Sequence, residues 1–289
     1  MQEIIALDAM RAWSRAEQAR GARVAFVPTM GFLHEGHLRL VDRARELADR
    51  VVVSIFVNPL QFGPSEDFDR YPRDLPRDRA LAQGRSVDVL FLPERAAMYP
   101  SEPAVRVSPG ALGETLEGAV RPGHFAGVLT VVLKLFAIVQ PDVAVFGRKD
   151  FQQATLVRHM AADLSLPVAI DVAPTVRELD GLALSSRNAY LTPEERRSAL
   201  ALSRCLRTVE QAWRGGEANA AALARRGLEV LRQPGVQPEY VALVDERLQP
   251  VERVTAATVV LVAARAGKTR LIDNVVLGDG VARDVAVRS

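Results

Sequence analysis

A strand–turn–helix pattern near the N-terminus constrains the fold more than any other part of the sequence. The run Val24-Ala-Phe-Val27 is apolar throughout, which predicts a short buried strand, and residues 38–47 carry apolar side chains at helical spacing. The ten-residue turn between them contains two glycines and two histidines, His34 and His37. In open α/β sheets, ligands bind beyond the carboxyl ends of the strands, at turns of this kind.

The two histidines indicate which ligand this turn accepts. A helix N-terminus offers free backbone N–H groups and the positive end of the helix dipole to an anion. His34 and His37 are three residues apart, so both side chains face one side if the helix begins near them. Imidazole donors beside a helix N-terminus suit a phosphate, and we therefore predict a nucleotide-phosphate site.

The same alternation continues along the first 175 residues. Buried strands are predicted at 51–57, 87–93, 143–146 and 168–172, and helical patterns lie at 8–20, 125–140 and 151–163. Residues 65–79 are polar and broken by prolines. Strands that alternate with helices indicate a parallel, doubly wound sheet of the α/β class.

The pattern changes near residue 177, after which 177–188 forms a polar connector. Two helices rich in alanine, leucine and arginine follow, separated by Gly215-Gly216, and then three alternating segments predict a small antiparallel sheet. We predict two domains, 1–178 and a smaller C-terminal α+β domain at 179–289.

Composition excludes several classes of protein. The 289 residues carry a formal net charge of +2, which argues against a dedicated nucleic-acid surface. The single cysteine, Cys205, leaves no disulfide, and no basic segment followed by an apolar run marks a signal peptide. The longest apolar stretch, 128–139, is too short to span a membrane. We expect a cytoplasmic protein with neither nucleic-acid nor membrane partners.

Three familiar motifs do not fit. Gly267-Lys-Thr269 resembles the end of a P-loop, but Val262 stands where that motif needs its first glycine, so a hairpin turn is the better interpretation. The first strand is not followed by the glycine pattern of dinucleotide-binding proteins. His34-Glu-Gly-His37 has the wrong spacing and an internal glycine for a zinc protease helix.

Polar clusters follow several of the predicted parallel strands. Because the carboxyl ends of such strands share one edge of the sheet, these clusters are expected to meet there. Any one of them has a plain alternative reading as a solvated loop, and His124 alone is more often a cap or core residue. The clusters are His34/His37, Asn58/Gln61, Lys149/Asp150/Gln153 and Ser185-Ser-Arg-Asn188.

Seven motifs in order across residues 24–191 resemble those of the pantoate–β-alanine ligases, a family of the nucleotidyltransferase superfamily. They are Pro28-Thr-Met-Gly-x-Leu-His-x-Gly-His37, Asn58-Pro-Leu-Gln-Phe62, Tyr71-Pro-Arg73, Arg121-Pro-Gly-His-Phe-Ala-Gly127, Lys149-Asp-Phe-Gln-Gln153, Pro174-Thr-Val-Arg-Glu178 and Ser185-Ser-Arg-Asn188. The resemblance implies a Rossmann-like doubly wound sheet with a C-terminal lid domain and a homodimer. It also implies a reaction in which pantoate, β-alanine and ATP give pantothenate, AMP and pyrophosphate through pantoyl adenylate.

The resemblance also implies roles for individual residues. The catalytic set is His37, the implied proton donor at the α-phosphate, with His34, Lys149 and Arg187. Pantoate and β-alanine are expected to contact Met30, Asn58, Gln61, Tyr71, Arg121, His124 and Gln153. The ATP-binding set is Met30, Gly31, His34, Gly36, His37, Gly147, Lys149, Asp150, Val176, Leu184, Ser185, Ser186 and Arg187. Magnesium is expected with ATP, and Asp74 and Asp78 are its acidic candidates, with a solvated face as the alternative for both; we predict Asp78.

Two residues depart from the family pattern. Arg148 stands where glutamate is common, which reverses a charge beside Lys149. Leu184 stands where methionine is common, a change that largely conserves volume.

Two other functions remain open at this point. A related nucleotidyltransferase with the same histidine motif would stop at adenylyl transfer, and a regulatory module would bind ATP without turnover. Pyrophosphate release that requires pantoate, with AMP formed only when β-alanine is present, separates the ligase from both. The intact His34, His37, Lys149 and Arg187 argue against the regulatory module.

Overall fold

A computed structural model of the chain describes residues 1–64, 66–281 and 285–287. Residues 282–284 and 288–289, at the end of the predicted C-terminal domain, lie outside the described residues. For residues 285–287 only the backbone enters the description.

The chain divides into two compact units. The first consists of Met1–Gly147 and Gln152–Ala173, and the second of Arg148–Phe151 and Pro174–Ser289. The domain boundary at 178/179 stays a prediction.

A parallel sheet forms the centre of the first unit. Its strands are β1 Gln2–Ile4, β2 Val24–Thr29, β3 Arg50–Ile55, β4 Val89–Phe91, β5 Val143–Gly147 and β6 Ala169–Ala173. In the described part of this unit they follow the order β1-β4-β3-β2-β5-β6, and every neighbouring pair is parallel. The chain therefore adds β3 and β4 on one side of β2 and then crosses over to place β5 and β6 on the other side.

Helices cover both faces of this sheet, which confirms the predicted doubly wound α/β class. The helices of this part of the chain are α1 Leu7–Ala19, α2 Glu35–Leu47, α3 Leu75–Gly84, α4 Arg95–Met98, α5 Glu117–Val120, α6 His124–Val139 and α7 Phe151–Asp163. Phe26 of β2 packs with apolar residues of α1, α6 and α7, whereas its neighbours Ala25 and Val27 pack with those of α2 and α3.

Four elements of this unit are absent from the predicted pattern: β1, α3 and the short helices α4 and α5. The edge strand β1 has three residues, too few to show an alternation, and its pairing with β4 supplies its backbone partners. Helix α3 begins inside the segment described as polar and broken by prolines, 65–79, and its N-cap Asp74 accepts the backbone N–H of Arg77 at 3.1 Å. Pro76 lies at the start of this helix, where proline is tolerated, and so does not break it.

The second unit combines two helices with a small sheet, as predicted. Helix α8, Pro193–Arg214, begins with a capping box between Thr192 and Glu195 and is followed by α9, Ala220–Leu231. At the start of the predicted connector, 177–188, Val176–Glu178 forms a short strand, β7, that pairs with β11, Val285–Val287. The strands β8 Val236–Val244, β9 Val259–Ala266 and β10 Thr269–Val276 pair antiparallel in the order β10-β9-β8.

Helix α6 approaches the loop after β3 closely at Gly127. A Cβ on this glycine would lie 2.1 Å from the carbonyl oxygen of Leu60, a backbone atom. Asn58, at the start of the same loop, donates to the carbonyl of Gly127 at 3.1 Å. The helix and the loop are therefore held at a distance that only glycine permits.

We predict that Gly127→Ala lowers the free energy of unfolding by about 2–3 kcal/mol, because overpacking must displace backbone. Gly84→Ala, at the end of α3, is the matched control, since its Cβ would meet no atom within 4 Å. That variant should be more stable than wild type by about 0.4–1 kcal/mol. Urea denaturation measures both, and equal effects of the two substitutions would contradict the close approach.

Candidate functional site

The two histidines of the opening turn lie where helix α2 begins. His34 is the N-cap residue, the helix starts at Glu35, and His37 lies in its first turn. The two rings are 4.0 Å apart between centroids. The backbone N–H of His34 donates to Nδ1 of His37 at 3.3 Å. Because Nδ1 accepts this bond, a neutral His37 ring carries its proton on Nε2, which is then a hydrogen-bond donor.

The loop that precedes these histidines is fixed by helix α3. The carboxylate of Asp78 accepts two consecutive backbone N–H groups, that of Phe32 at 2.8 Å and that of Leu33 at 2.6 Å. Arg77 donates to the carbonyl of Leu33 at 2.9 Å, and its guanidinium lies over the Phe32 ring. Gly31 has φ of +84°, and a Cβ there would lie 2.8 Å from a methyl group of Ile55. The backbone leading into His34 is thereby held from both sides.

The sequence left open that Asp78 is a solvated surface carboxylate, because arginines flank it. The structure places it in a different environment. Its side chain is buried, with 1% of the residue exposed, and burial raises the pKa of its carboxyl above the ordinary value, although the two backbone N–H groups oppose that rise. Both oxygens are engaged with the loop. Within the described ranges, no group of three or more His, Cys, Asp or Glu side chains is arranged to hold a metal ion. The residues present therefore do not fit a magnesium site built on Asp78.

Amide side chains cluster beyond the end of β3. Asn58 donates to Oε1 of Gln61 at 3.1 Å, and its Oδ1 accepts the hydroxyl of Tyr99 at 3.0 Å and the N–H of Leu60 at 3.3 Å. Gln61 in turn directs its Nε2 at the sulfur of Met30, 3.1 Å away. Asn58 is almost fully buried, whereas Gln61 retains some exposure. Asn58 therefore orients Gln61, and the hydroxyl of Tyr99 in turn holds Asn58. The sequence did not indicate either of these positioning roles.

A second polar group fixes the backbone of Gln61. Arg121 forms a two-pronged ion pair with Glu66, with N–O distances of 2.7 and 2.6 Å, and donates to Nε2 of His124 at 2.9 Å. Nδ1 of His124 then carries the proton and donates to the carbonyl of Gln61 at 2.8 Å. Burial, followed by the charge of Arg121, lowers the pKa of His124 to about 4, so the ring is neutral near pH 7.

Other predicted substrate contacts lie in different settings. Tyr71 is buried and packs its ring against the edge of Phe62, with 5.9 Å between ring centroids. Gln152 is committed to the protein, because its side chain holds the carbonyls of Leu112 and Thr115, both at 2.9 Å, and the N–H of Glu117. Its neighbour Gln153 is half-buried and makes no side-chain hydrogen bond to any residue that the structure describes.

The second unit brings together most of the remaining predicted nucleotide residues. Leu184 donates its N–H to the carbonyl of Val176 at 2.9 Å, and the hydroxyl of Ser185 accepts the N–H of Arg187 at 3.3 Å at the start of a 3-10 turn. Lys149 lies 3.5 Å from the carboxylate of its neighbour Asp150.

The charge reversal at Arg148 has a structural partner. Its guanidinium is 2.6 Å from a carboxylate oxygen of Asp279 in the same unit, and only 13% of the Arg148 side chain is exposed. The positive charge beside Lys149 is therefore offset by a carboxylate.

We predict that His124 makes stability pH-dependent. Its folded pKa of about 4 lies below the ordinary 6.5, so the unfolded chain binds a proton at pH values where the folded chain does not. This contribution is fully present above pH 6.5 and is lost as the pH falls toward 4. Between pH 7 and 4.5, wild type should lose about 2–3 kcal/mol more unfolding free energy than His124→Gln does.

Urea denaturation at the two pH values measures this difference. His159→Gln, on helix α7, is measured alongside as the control for loss of a histidine. Equal pH dependence of wild type and His124→Gln would contradict the neutral, buried state of the ring.

No helix in the described part of the chain combines the length and apolar character needed to cross a membrane.

Comparison with known proteins identifies the family of the chain. The family model described as pantoate-beta-alanine ligase matches residues 2–276. The pantothenate synthetase of Heliobacterium modesticaldum is 53% identical over 279 residues, which is 96% of this chain and 99% of that protein. The pantothenate synthetase of Acidothermus cellulolyticus is 56% identical over 266 residues, 90% of this chain and 87% of that one.

Solved structures give the same result for the fold. The crystal structure of pantothenate synthetase from Thermus thermophilus has a TM-score of 0.90 at 49% identity, covering 96% of this chain and 99% of that one. The Francisella tularensis pantoate-beta-alanine ligase, solved as a complex with beta-gamma ATP and beta-alanine, has a TM-score of 0.81 at 34% identity, covering 97% and 99%. Together with the family model, these similarities show that the chain belongs to the pantoate-beta-alanine ligase family.

Proposed function

We propose that this chain uses ATP to join pantoate to β-alanine, giving pantothenate, AMP and pyrophosphate. The observation that carries the proposal is the His34–His37 pair at the N-terminus of α2, with a donor on Nε2 of a neutral His37, and with the amide of Gln61 against Met30 in the same unit. The family assignment supports the overall reaction, and the site supports the roles given below.

In the first half-reaction, a carboxylate oxygen of pantoate attacks the α-phosphorus of ATP. The new P–O bond gives pantoyl adenylate, and the bond to the bridging oxygen breaks, so that pyrophosphate leaves with the electron pair. This step requires charge stabilisation and positioning more than covalent help from the protein. We assign Nε2–H of His37 to the α-phosphate and His34 to the adjoining phosphate oxygens.

Pantoate is recognised by amides. Gln61 and Gln153 present N–H donors and C=O acceptors that match the hydroxyls and carboxylate of pantoate, with Met30 as the apolar wall beside Gln61. We propose that Asn58, Arg121 and His124 act through Gln61, because their polar atoms are already engaged with it or with each other. Tyr71 contributes to the shape of the pocket through its packed ring.

ATP takes its contacts from backbone and charged groups. Gly31, Gly36 and Gly147 allow close approach at the ends of β2 and β5, where the strand order reverses and ligands of α/β sheets bind. We assign Lys149 and Arg187 to the phosphates, and Asp150, Val176, Leu184, Ser185 and Ser186 to the remainder of the nucleotide.

The second half-reaction completes the condensation. The neutral amine of β-alanine attacks the acyl carbon of pantoyl adenylate, the C–O bond to phosphate breaks, and AMP leaves while the amine loses a proton. We also propose that the chain is a cytoplasmic homodimer and that residues 179–289 act as a lid domain, as the family resemblance implies.

Magnesium is proposed to accompany ATP through the phosphates and water, the manner in which it usually binds nucleotides. Asp78 is not assigned to the ion, because each of its oxygens accepts a backbone N–H of the loop, and no step above depends on the ion.

We predict that His37→Ala lowers kcat by about 10²–10³, the effect of removing one donor to transition-state charge. The assay is pantoate-dependent pyrophosphate release, with AMP measured in the presence and absence of β-alanine. His159→Ala removes a histidine from helix α7 and should retain wild-type activity. Unchanged pyrophosphate release in His37→Ala would show that this histidine does not serve the reaction.

A second prediction concerns Asp78 and magnesium. In Asp78→Asn the amide keeps the shape but turns an N–H₂ group toward one of the two loop N–H groups. The loop shifts, and kcat should fall about 10- to 100-fold. The magnesium concentration for half-maximal rate should stay within about twofold of wild type, and the exposed Asp69→Asn should leave both quantities unchanged.

Titration of the rate against magnesium at fixed ATP distinguishes the two roles. A large rise in the magnesium requirement of Asp78→Asn, with kcat restored at high magnesium, would make Asp78 a metal ligand and refute the loop-fixing role.

A further inference from the structure

The turn that carries Lys149 is held by one side chain from the small antiparallel sheet. Asn274 lies on β10, and only 2% of it is exposed. Its Nδ2 group donates to two consecutive carbonyls, that of Arg148 at 2.9 Å and that of Lys149 at 2.8 Å. Because both N–H bonds of one planar amide are used, the turn is fixed in rotation as well as in position.

Asn274 is itself held by a buried ion pair. The carboxylate of Asp273 accepts from both terminal nitrogens of Arg177, at 2.6 and 2.8 Å, and both side chains are less than 5% exposed. Arg177 also donates to the carbonyl of Asn274 at 3.3 Å, and the N–H of Asn274 donates to Asp273 at 2.8 Å. The backbone on both sides of the amide is therefore anchored to β7.

This arrangement is costly to build. Two charges and an amide are removed from water, and an ion pair of this kind often contributes little net stability compared with apolar side chains of the same volume. Arg177 and Asp273 hold the backbone of Asn274 and of Gly181, and both donors of the Asn274 amide end on the backbone of Arg148 and Lys149, while its Oδ1 accepts no hydrogen bond from the described residues. Because this network costs free energy of desolvation and ends on the backbone of the turn, its role is to fix the geometry of that turn.

Lysine needs such a support more than arginine does. Its ammonium is a compact charge on a flexible four-carbon stem, so its location depends on where the backbone places the Cα atom. Displacement of a charged group by about 1 Å from its productive location can reduce a rate about 100-fold.

We propose that Asn274 is the positioning residue for Lys149, and that the Arg177–Asp273 pair holds it in place. This inference rests on the proposed function in one respect, the assignment of Lys149 to the phosphates of ATP. Asn274 itself touches neither substrate nor the reacting atoms in this scheme.

A double-mutant cycle tests the proposal through kcat. Lys149→Ala should lower kcat by about 100-fold. Asn274→Leu, which has similar volume but no donor, should lower it by about 10-fold or more with the KM for pantoate unchanged. In the Lys149→Ala background, Asn274→Leu should then change kcat less than about twofold. Asn274→Ser keeps one donor without adding bulk, and an intermediate effect is expected.

A second measurement does not depend on activity. The chain has three lysines, Lys134, Lys149 and Lys268, so ¹³C labelling at lysine Cε gives three NMR signals. Lys149→Arg identifies the signal of Lys149. Asn274→Leu or Asn274→Ser should shift that signal and leave the other two unchanged, which also shows that the variant is folded.

The outcomes separate the inference from the function on which it rests. If Lys149→Ala retains wild-type kcat, the assignment of Lys149 in the proposed function is wrong and the inference falls with it. If Lys149→Ala has its full effect but Asn274→Leu lowers kcat by the same factor with and without Lys149, the inference alone is overturned. The same holds if the NMR signal of Lys149 does not shift in the Asn274 variants.

Discussion

The reversal of strand order beside β2 is the constraint on which the site in the first unit depends. Parallel strands leave their carboxyl ends at one edge of the sheet. The chain crosses from β4 to β5 on the other side of β2, so the loops that follow β2 and β5 leave the sheet in opposite directions. Sheet packing alone therefore directs the turn carrying His34 and His37 toward a crevice. The N-terminus of α2 adds its dipole and free N–H groups at the same point.

Much of the buried polarity in this unit serves to fix backbone rather than to bind ligand. Asp78 holds two amides of the loop before His34, and His124 holds the carbonyl of Gln61. Asn58 orients the side chain of the same glutamine. Asp78 and Asn58 are buried and His124 is partly buried, each with its partners in place, which avoids the cost of an unpaired polar atom. Gln153, whose side chain makes no hydrogen bond to any residue that the structure describes, is suited to a substrate.

The sequence predicted the long secondary-structure elements better than the short ones. Helix α7 is predicted with its observed bounds, 151–163, and the helix start at the two histidines is confirmed. Strand β1 and the short strand β7 were missed because three residues show no periodicity, and their pairing is decided by distant segments. Helix α3 was missed because its pattern is polar and its apolar contacts are few. The cap at Asp74 with a proline beside it was the signal that was available.

For the site as well, the sequence predicted features that depend on local motifs and missed contacts between residues far apart in the chain. The strand-end clusters and the family motifs identified His37, Gln61 and the 184–187 segment as candidates from sequence alone. The sequence did not reveal that Glu66 pairs with Arg121, that Asp279 pairs with Arg148, or that Asn274 holds the turn of Lys149. These partners lie 55 to 131 residues apart along the chain, and no local pattern records such contacts.

The central claim is that the carboxylate of pantoate forms a bond to the α-phosphorus of ATP. Pantoate labelled with ¹⁸O in its carboxylate tests this claim most directly, because the attacking oxygen stays with phosphorus when the amine of β-alanine displaces AMP. Mass spectrometry of the AMP should show one ¹⁸O atom per molecule, with the other retained in the amide of pantothenate. AMP without ¹⁸O would mean that no acyl adenylate forms, and the proposed chemistry would be wrong.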